Sequence, residues 1–202
     1  MTNKNNKKPY RPKKRDKKAK SGGEDKMNEP VEKFAYKFSC AMLNITEKNA
    51  GVFEYWAKKN IPAKALFSDD SDGIEGYEDV HHVTVKYGIH DVTPEKLIEL
   101  IQGAGKVDLM FEKVTKFTDN PKFDVVKVDV KSDKLRKLNK IISDNMECTD
   151  SFDEYKPHVT LAYVKKGECE DLVGNDFFNE LEDMVDEIYF TSRTGKEHFI
   201  DL

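Results

Sequence analysis

Several things are scarce in this 202-residue chain. There are three cysteines, Cys40, Cys148 and Cys169; they stand far apart, in odd number, with no C-x-x-C. That argues against a disulfide framework and a thiolate zinc site, and points to a reducing, cytoplasmic compartment. No window approaches the roughly 18 consecutive apolar residues of a membrane span. The opening Met1-Thr2-Asn3-Lys4 lacks the apolar run of a secretion signal. G-x-x-x-x-G-K-[ST], G-x-G-x-x-G and G-x-S-x-G are all missing, which removes the ordinary NTPase, dinucleotide-binding and serine-hydrolase readings.

Charge is plentiful, with 34 Lys+Arg against 38 Asp+Glu and a formal net charge of -4. It is unevenly spread. Residues 1–26 hold eleven Lys/Arg and three Asp/Glu, a net of +8; the remainder holds 23 against 35, a net of -12. From Lys4 to Lys20 there is no Val, Ile, Leu, Met or Phe, so the segment cannot bury enough apolar surface to offset the entropy of ordering it. Residues 1–30 are therefore expected to be a disordered basic tail, and 31–202 the folded unit. The tail suits contact with RNA, DNA or another polyanion; a solubilising tail or an address is the alternative.

The body alternates strands and helices. Period-two apolar residues predict a strand over 34–43. Thr46 opens a helix ending near Asn60, before Pro62. An acidic loop covers 68–79. A strand follows over 80–89, then a helix from Thr93-Pro94-Glu95 to Gly103. Strands over 107–117 and 123–130 form a hairpin, and Ser132 caps a third helix. A strand over 158–164, a helix over about 168–184 and a closing hairpin over 187–202 complete an α+β domain.

Two copies of one short pattern carry the chemistry. His82-Val83-Thr84-Val85 and His158-Val159-Thr160-Leu161 each sit in a predicted strand, 76 residues apart, and each is followed by x-Tyr. Side chains alternate along a strand, so His82 and Thr84 share a face, as do His158 and Thr160. Val83, Val85 and Tyr87, like Val159, Leu161 and Tyr163, are expected on the core face. Neighbouring strands would bring two imidazoles and two hydroxyls to one cleft. One neutral histidine then takes a proton from an attacking hydroxyl or water, the protonated one supplies the leaving oxygen, and the threonines bond the phosphate oxygens. Of the five histidines, His81 is expected to face away, and His90 and His198 to be surface residues.

With these motifs the chain resembles the 2H phosphoesterase superfamily, which includes 2′-5′ RNA ligase-like proteins, cyclic phosphodiesterases and viral enzymes that destroy cyclic or 2′-5′ oligonucleotide alarm signals. The segments EDVHHVTVKYGIH and DEYKPHVTLAYVKKG look most like phage-type members. The resemblance covers about 34–202. It implies two α+β lobes whose antiparallel sheets face a central cleft, and His82, Thr84, His158 and Thr160 as the catalytic set. For a viral member the compartment would be the host cytoplasm.

Around that set, Lys86 shares the predicted face of His82 and is a candidate for the phosphate, with a solvated lysine as the alternative. Tyr77 and Tyr155 are candidates for stacking on a base, or loop anchors. The acidic loop Ser68-x-Asp70-x-Asp72-Gly73 only echoes a calcium loop, lacking Asp at its first position, Glu at its twelfth and flanking helices. No cofactor or metal is expected. The reading is a metal-independent phosphodiesterase acting on a nucleotide or oligonucleotide, cyclic or 2′-5′/3′-5′ linked. A 2′,3′-cyclic phosphodiesterase that processes RNA ends and a non-catalytic RNA-binding module are the alternatives.

Overall fold

The computed structural model describes residues 35–69, 74–150 and 152–202. The basic tail, with its boundary at residue 30, and positions 70–73 of the acidic loop lie outside the described residues.

Strand β1 (Ser39–Asn44) leads into helix α1 (Glu47–Asn60). Thr46 precedes α1 in extended conformation; its backbone N–H donates to the Asp183 carboxylate at 2.7 Å, and its side chain makes no cap bond. The strand begins at Ser39, not at 34. Ala35 and Tyr36 instead donate their N–H groups to the Arg193 carbonyl in a bent segment. A short hairpin, β2 (Ser68–Asp69) and β3 (Ile74–Glu75), precedes β4 (His82–Ile89) and α2 (Glu95–Ile101). The hairpin β5 (Val107–Phe117) and β6 (Phe123–Lys131) runs into α3 (Asp133–Asn145), where Ser132 Oγ accepts the Leu135 N–H at 3.1 Å. Then come β7 (His158–Lys165), β8 (Glu182–Val185), β9 (Glu187–Thr191) and β10 (Glu197–Asp201).

Eight of these strands form one antiparallel sheet in the order β10-β9-β1-β4-β7-β6-β5-β8. The order is symmetric about the β4–β7 junction: four strands lie on each side, and β1 and β6 flank the two motif strands. The one Cα register pair at the junction is Val83↔Val159, the central residues of the two motifs. One face of the sheet is core, with Leu43, Val83, Val85, Val126, Val128 and Val159 fully buried. The helices cross between halves. Phe53 of α1 meets Phe111 of β5 at 4.8 Å, whereas Asn139 of α3 donates to the Val85 carbonyl of β4 at 2.7 Å.

The helix expected over 168–184 is not formed. Cys169 and Gly174 have φ of +60° and +89°, and only Glu170–Leu172 make a 3₁₀ turn. Tertiary contacts overrule the local pattern. Phe178 is fully buried and stacks on Phe53 at 4.6 Å, and residues 182–185 pair with β5.

A charged cluster pins this segment. Asp124 is buried and accepts from Lys166 Nζ at 2.6 Å and the Gly167 N–H at 2.9 Å, with Lys116 Nζ 3.0 Å away; Lys116 also reaches Glu170 at 2.6 Å. Burial works against the Asp124 charge, but these donors outweigh it and hold the carboxyl at about 2. A carboxyl depressed on folding adds stability that is complete above about pH 4 and lost as the pH falls through its folded value. Asp124→Asn removes the buried partner of Lys116, which keeps Glu170, and is expected to cost about 1.5–3 kcal/mol by denaturant titration at pH 7. The difference from the parent should shrink between about pH 4 and pH 2; a variant as stable as the parent at pH 7 would remove the cluster from the forces that hold the fold.

Candidate active site

The antiparallel register about Val83↔Val159 sets His82 beside Thr160 and Thr84 beside His158 on the non-core face. The ladder does not continue. On one side the Thr84 carbonyl accepts from the Tyr155 hydroxyl at 2.7 Å; on the other the Thr160 carbonyl takes His81 Nδ1 at 3.1 Å. Past that point the main chain of residues 76–78 takes over the edge of β7: Tyr77 bridges Ala162, the Glu78 N–H donates to the Leu161 carbonyl at 3.0 Å and the Tyr163 N–H to the Gly76 carbonyl at 2.7 Å, so β4 and β7 share only the Val83–Val159 pair.

Both motif histidines are oriented in the same way. His82 Nδ1 lies 2.8 Å from the Val80 carbonyl, and His158 Nδ1 lies 2.7 Å from the Lys156 carbonyl, each two residues back. A carbonyl only accepts, so Nδ1 carries hydrogen in both rings and Nε2 is left for proton transfer. Burial pushes the His158 imidazole below its ordinary value, and the charges of Lys127 and His82 act in the same sense; the Lys156 carbonyl and Asp129 act against it.

The alternation expected after each threonine fails, and it fails identically. Thr84 pairs with Met42 and Lys86 with Ala41; Thr160 pairs with Lys127 and Ala162 with Val126. Each motif strand thus carries an extra residue directly after its threonine, Val85 or Leu161, and β4 a second one between Lys86 and Ile89; a bulge of this kind reverses the faces beyond it. Lys86 is therefore turned to the core side beside Ala41. It is 4% exposed, with its Nζ 2.5 Å from Asp150, and does not share the face of His82 and Thr84 as expected. Tyr87 and Tyr163 return to the cleft side, against the expected burial of both; Tyr87 is exposed, and Tyr163 pairs with Val125 and donates to Glu78 at 3.4 Å.

The other two expected binding residues are anchors. Tyr77 donates to the Ile61 carbonyl at 2.7 Å and lines, with His81 and Leu161, a cavity of about 50 Å³ beneath α1. Tyr155 is half-buried, with its hydroxyl committed to Thr84, and burial pushes that hydroxyl's pKa up. His81 faces away from the cleft as expected, against Phe53 at 5.7 Å. His90 is half-buried, held by Glu147 and Thr149.

Three groups near the histidines escape the sequence reading. Glu78 sits in the loop before β4, close enough to His82 that the two charges interact; burial pushes its carboxyl up, and His82 and the Val80 N–H act against that. Lys127 Nζ lies 4.3 Å from the Phe117 ring centroid and bonds Thr115 and Asp129. Phe117 meets the His158 ring edge to face at 4.8 Å and stacks on exposed Phe152 at 6.2 Å. The usable signal is the β5–β6 hairpin: once its register is known, alternation puts Thr115, Phe117, Lys127 and Asp129 on the motif face. A groove of about 480 Å³ opens there, lined by Thr115, Phe117, Lys127, Asp129, Arg136 and Lys156.

Among the described residues no three His, Cys, Asp or Glu side chains gather as a metal site, and no helix is long and apolar enough to cross a membrane. The family model of the 2′-5′ RNA ligase superfamily matches residues 76–197, which include both motifs. No curated protein matches the chain. Among solved structures, the fold is similar to that of a protein described as a phosphoesterase, at TM-score 0.54 and 16% identity over 82% of this chain and 95% of that one. It is similar to E. coli LigT complexed with 3′-AMP, at TM-score 0.54 and 16% identity over 82% and 94%. It is also similar to a protein of Thermus thermophilus, TT0787, at TM-score 0.51 and 13% identity over 82% and 94%.

The anchoring of Tyr155 is testable. Tyr155→Phe leaves the Thr84 carbonyl without a donor and is expected to lower stability by roughly 1–3 kcal/mol. An unchanged unfolding midpoint would return this tyrosine to the pool of substrate-contacting aromatics.

Proposed function

The chain belongs to the 2′-5′ RNA ligase superfamily, and we propose that it is a metal-independent phosphodiesterase acting on a nucleotide or oligonucleotide. The observation that carries this reading is the matched pair of imidazoles, each with Nδ1–H fixed on the carbonyl two residues back, on either side of one strand pair. Such a pair supplies a base and an acid at one phosphorus without a change of geometry. Thr84 and Thr160 share their face and provide hydroxyl donors for the non-bridging oxygens. Phe117, Phe152 and the groove beside His158 support a ligand with an aromatic base next to its phosphate. The 3′-AMP complex of LigT supports the same ligand class.

The chemistry proceeds in one of two ways. With a 2′,3′-cyclic phosphate, activated water opens the ring. With a linear 2′-5′ or 3′-5′ linkage, the neighbouring ribose hydroxyl attacks. A cyclic oligonucleotide signal, which the resemblance of the motif segments to phage-type members suggests, is one substrate of this class. The test is a panel of 2′,3′-cyclic nucleotides, 2′-5′ oligonucleotides and cyclic dinucleotides, assayed in EDTA. His82→Ala and His158→Ala are each expected to lower kcat by about 10²–10⁴ with the fold retained. Thr84→Val and Thr160→Val should cost about 10–10³, as lost transition-state donors. Turnover that needs an added divalent ion, or full activity in either histidine variant, counts against the proposal; tight binding without turnover would favour a non-catalytic RNA-binding module.

The basic tail extends the same reading. We propose that residues 1–26 add salt-sensitive affinity for long nucleic acid and nothing to the chemistry. Their deletion should leave small-substrate kcat and the melting temperature unchanged. Each lost phosphate contact should reduce the salt slope for RNA or DNA by about 0.7–0.9. Loss of small-substrate turnover on deletion would place the tail inside the functional unit.

A further inference from the structure

Each motif is preceded by a residue whose side chain takes a main-chain carbonyl of the other motif. His81, next to His82, places Nδ1 3.1 Å from the Thr160 carbonyl. Tyr155, three residues before His158, donates its hydroxyl to the Thr84 carbonyl at 2.7 Å. The two contacts run crosswise. His82 stands beside Thr160 across the junction and His158 beside Thr84. Each contact therefore ties the segment that carries one motif histidine to the threonine beside that histidine.

The held carbonyls sit where strand pairing is weakest. Thr84 and Thr160 are the last residues in regular register before the extra residues Val85 and Leu161. A bulge disrupts the ladder locally, so pairing alone leaves the peptide unit after each threonine loosely directed. Between β4 and β7 only Val83 and Val159 pair, so no further rung relates either threonine to the histidine beside it. Threonine is stiff at χ1, and the direction of its hydroxyl follows that of its backbone. A donor on the carbonyl thus also aims the hydroxyl. His81 is well fixed for this task. It is 6% exposed, packs against Phe53 at 5.7 Å and lines the small cavity beneath α1 together with Leu161. Its Nε2 is buried without a hydrogen-bond partner among the described residues, so the Thr160 carbonyl is the polar contact that orients the ring.

Resting on the phosphodiesterase reading above, we infer that His81 and Tyr155 are positioning residues: His81 aims the Thr160 hydroxyl and Tyr155 the Thr84 hydroxyl at the phosphate. Both act through the threonine whose carbonyl they hold. The third histidine of the chain's central region thus serves the reaction from the core side of the sheet, while its neighbour His82 serves it from the cleft. The hold matters to rate more than to binding, because the threonine hydroxyls are donors to charge that grows in the transition state. A shift of about 1 Å in a positioned group is enough to cost about 10²-fold.

The test is a pair of double-mutant cycles in the full chain, with kcat and KM measured in EDTA on whichever substrate of the panel above the parent turns over. His81→Leu fills similar space without the donor. It should lower kcat by about 10–10² and leave KM within about threefold of the parent. His81→Asn, whose side-chain amide can stand in for Nδ1–H, should recover most of that loss. In a Thr160→Val chain the hydroxyl is already gone, so adding His81→Leu should cost no more than about threefold further. Tyr155→Phe should behave in the same way towards Thr84→Val, and this second cycle decides the matter if His81→Leu does not fold. A residue that merely holds the fold would give losses that multiply with those of the threonine variants. Such multiplication, a change confined to KM, or His81→Asn no better than His81→Leu overturns the positioning roles and leaves the phosphodiesterase reading standing. A parent that turns over nothing in the panel removes that reading, and the positioning roles with it.

Discussion

The two halves of the sheet share one Cα register pair, Val83↔Val159, and the site follows from how little else joins them there. A fully paired β4–β7 ladder would flatten the motif strands into a continuous wall. Instead the ladder stops at that pair: Tyr155 takes the Thr84 carbonyl, His81 the Thr160 carbonyl, and the main chain of residues 76–78 the next stretch of β7. Both side chains occupy carbonyls that a neighbouring strand would otherwise take, so the interruption leaves neither carbonyl unsatisfied. The same two strands then bulge one residue beyond the threonines, which returns tyrosines to the cleft and sends Lys86 out of it.

Much of this could be read from the sequence, because alternation is a local property. The strands bearing His82 and His158, the β5–β6 hairpin, the Ser132 cap and the closing hairpin are all where the apolar periods place them. The misreadings share a cause. A bulge has no signature in the order of residues, so a rule that holds only for unbroken strands puts Lys86, Tyr87 and Tyr163 on the wrong faces. The segment 168–184 has the composition of a helix, but burial of Phe178 and pairing of β8 with β5 decide its shape from a distance. Glu78 and Lys127 escape notice because their meaning depends on register with strands far away in sequence.

Symmetry of backbone and asymmetry of charge have different origins here. The backbone pattern of histidine, threonine, bulge and tyrosine is repeated in both halves, and so is the hydrogen bond from each imidazole to a carbonyl two residues back. The flanking strands β1 and β6 differ: Met42 and Asn44 stand on one side, Lys127 and Asp129 on the other.

The crossing of the helices between halves bears on how the chain reaches its native state. With Phe53 of α1 packed on β5 and Asn139 of α3 bonded to β4, neither half can complete a core from its own residues. The central pair joins positions 76 residues apart, so loop closure must precede any gain from it, and formation should be slow for a chain of this length. Truncation or separate synthesis of one half would leave apolar faces of both helices and sheet open to self-association. The doubled motif, which suggests two modules side by side, belongs to a single cooperative unit.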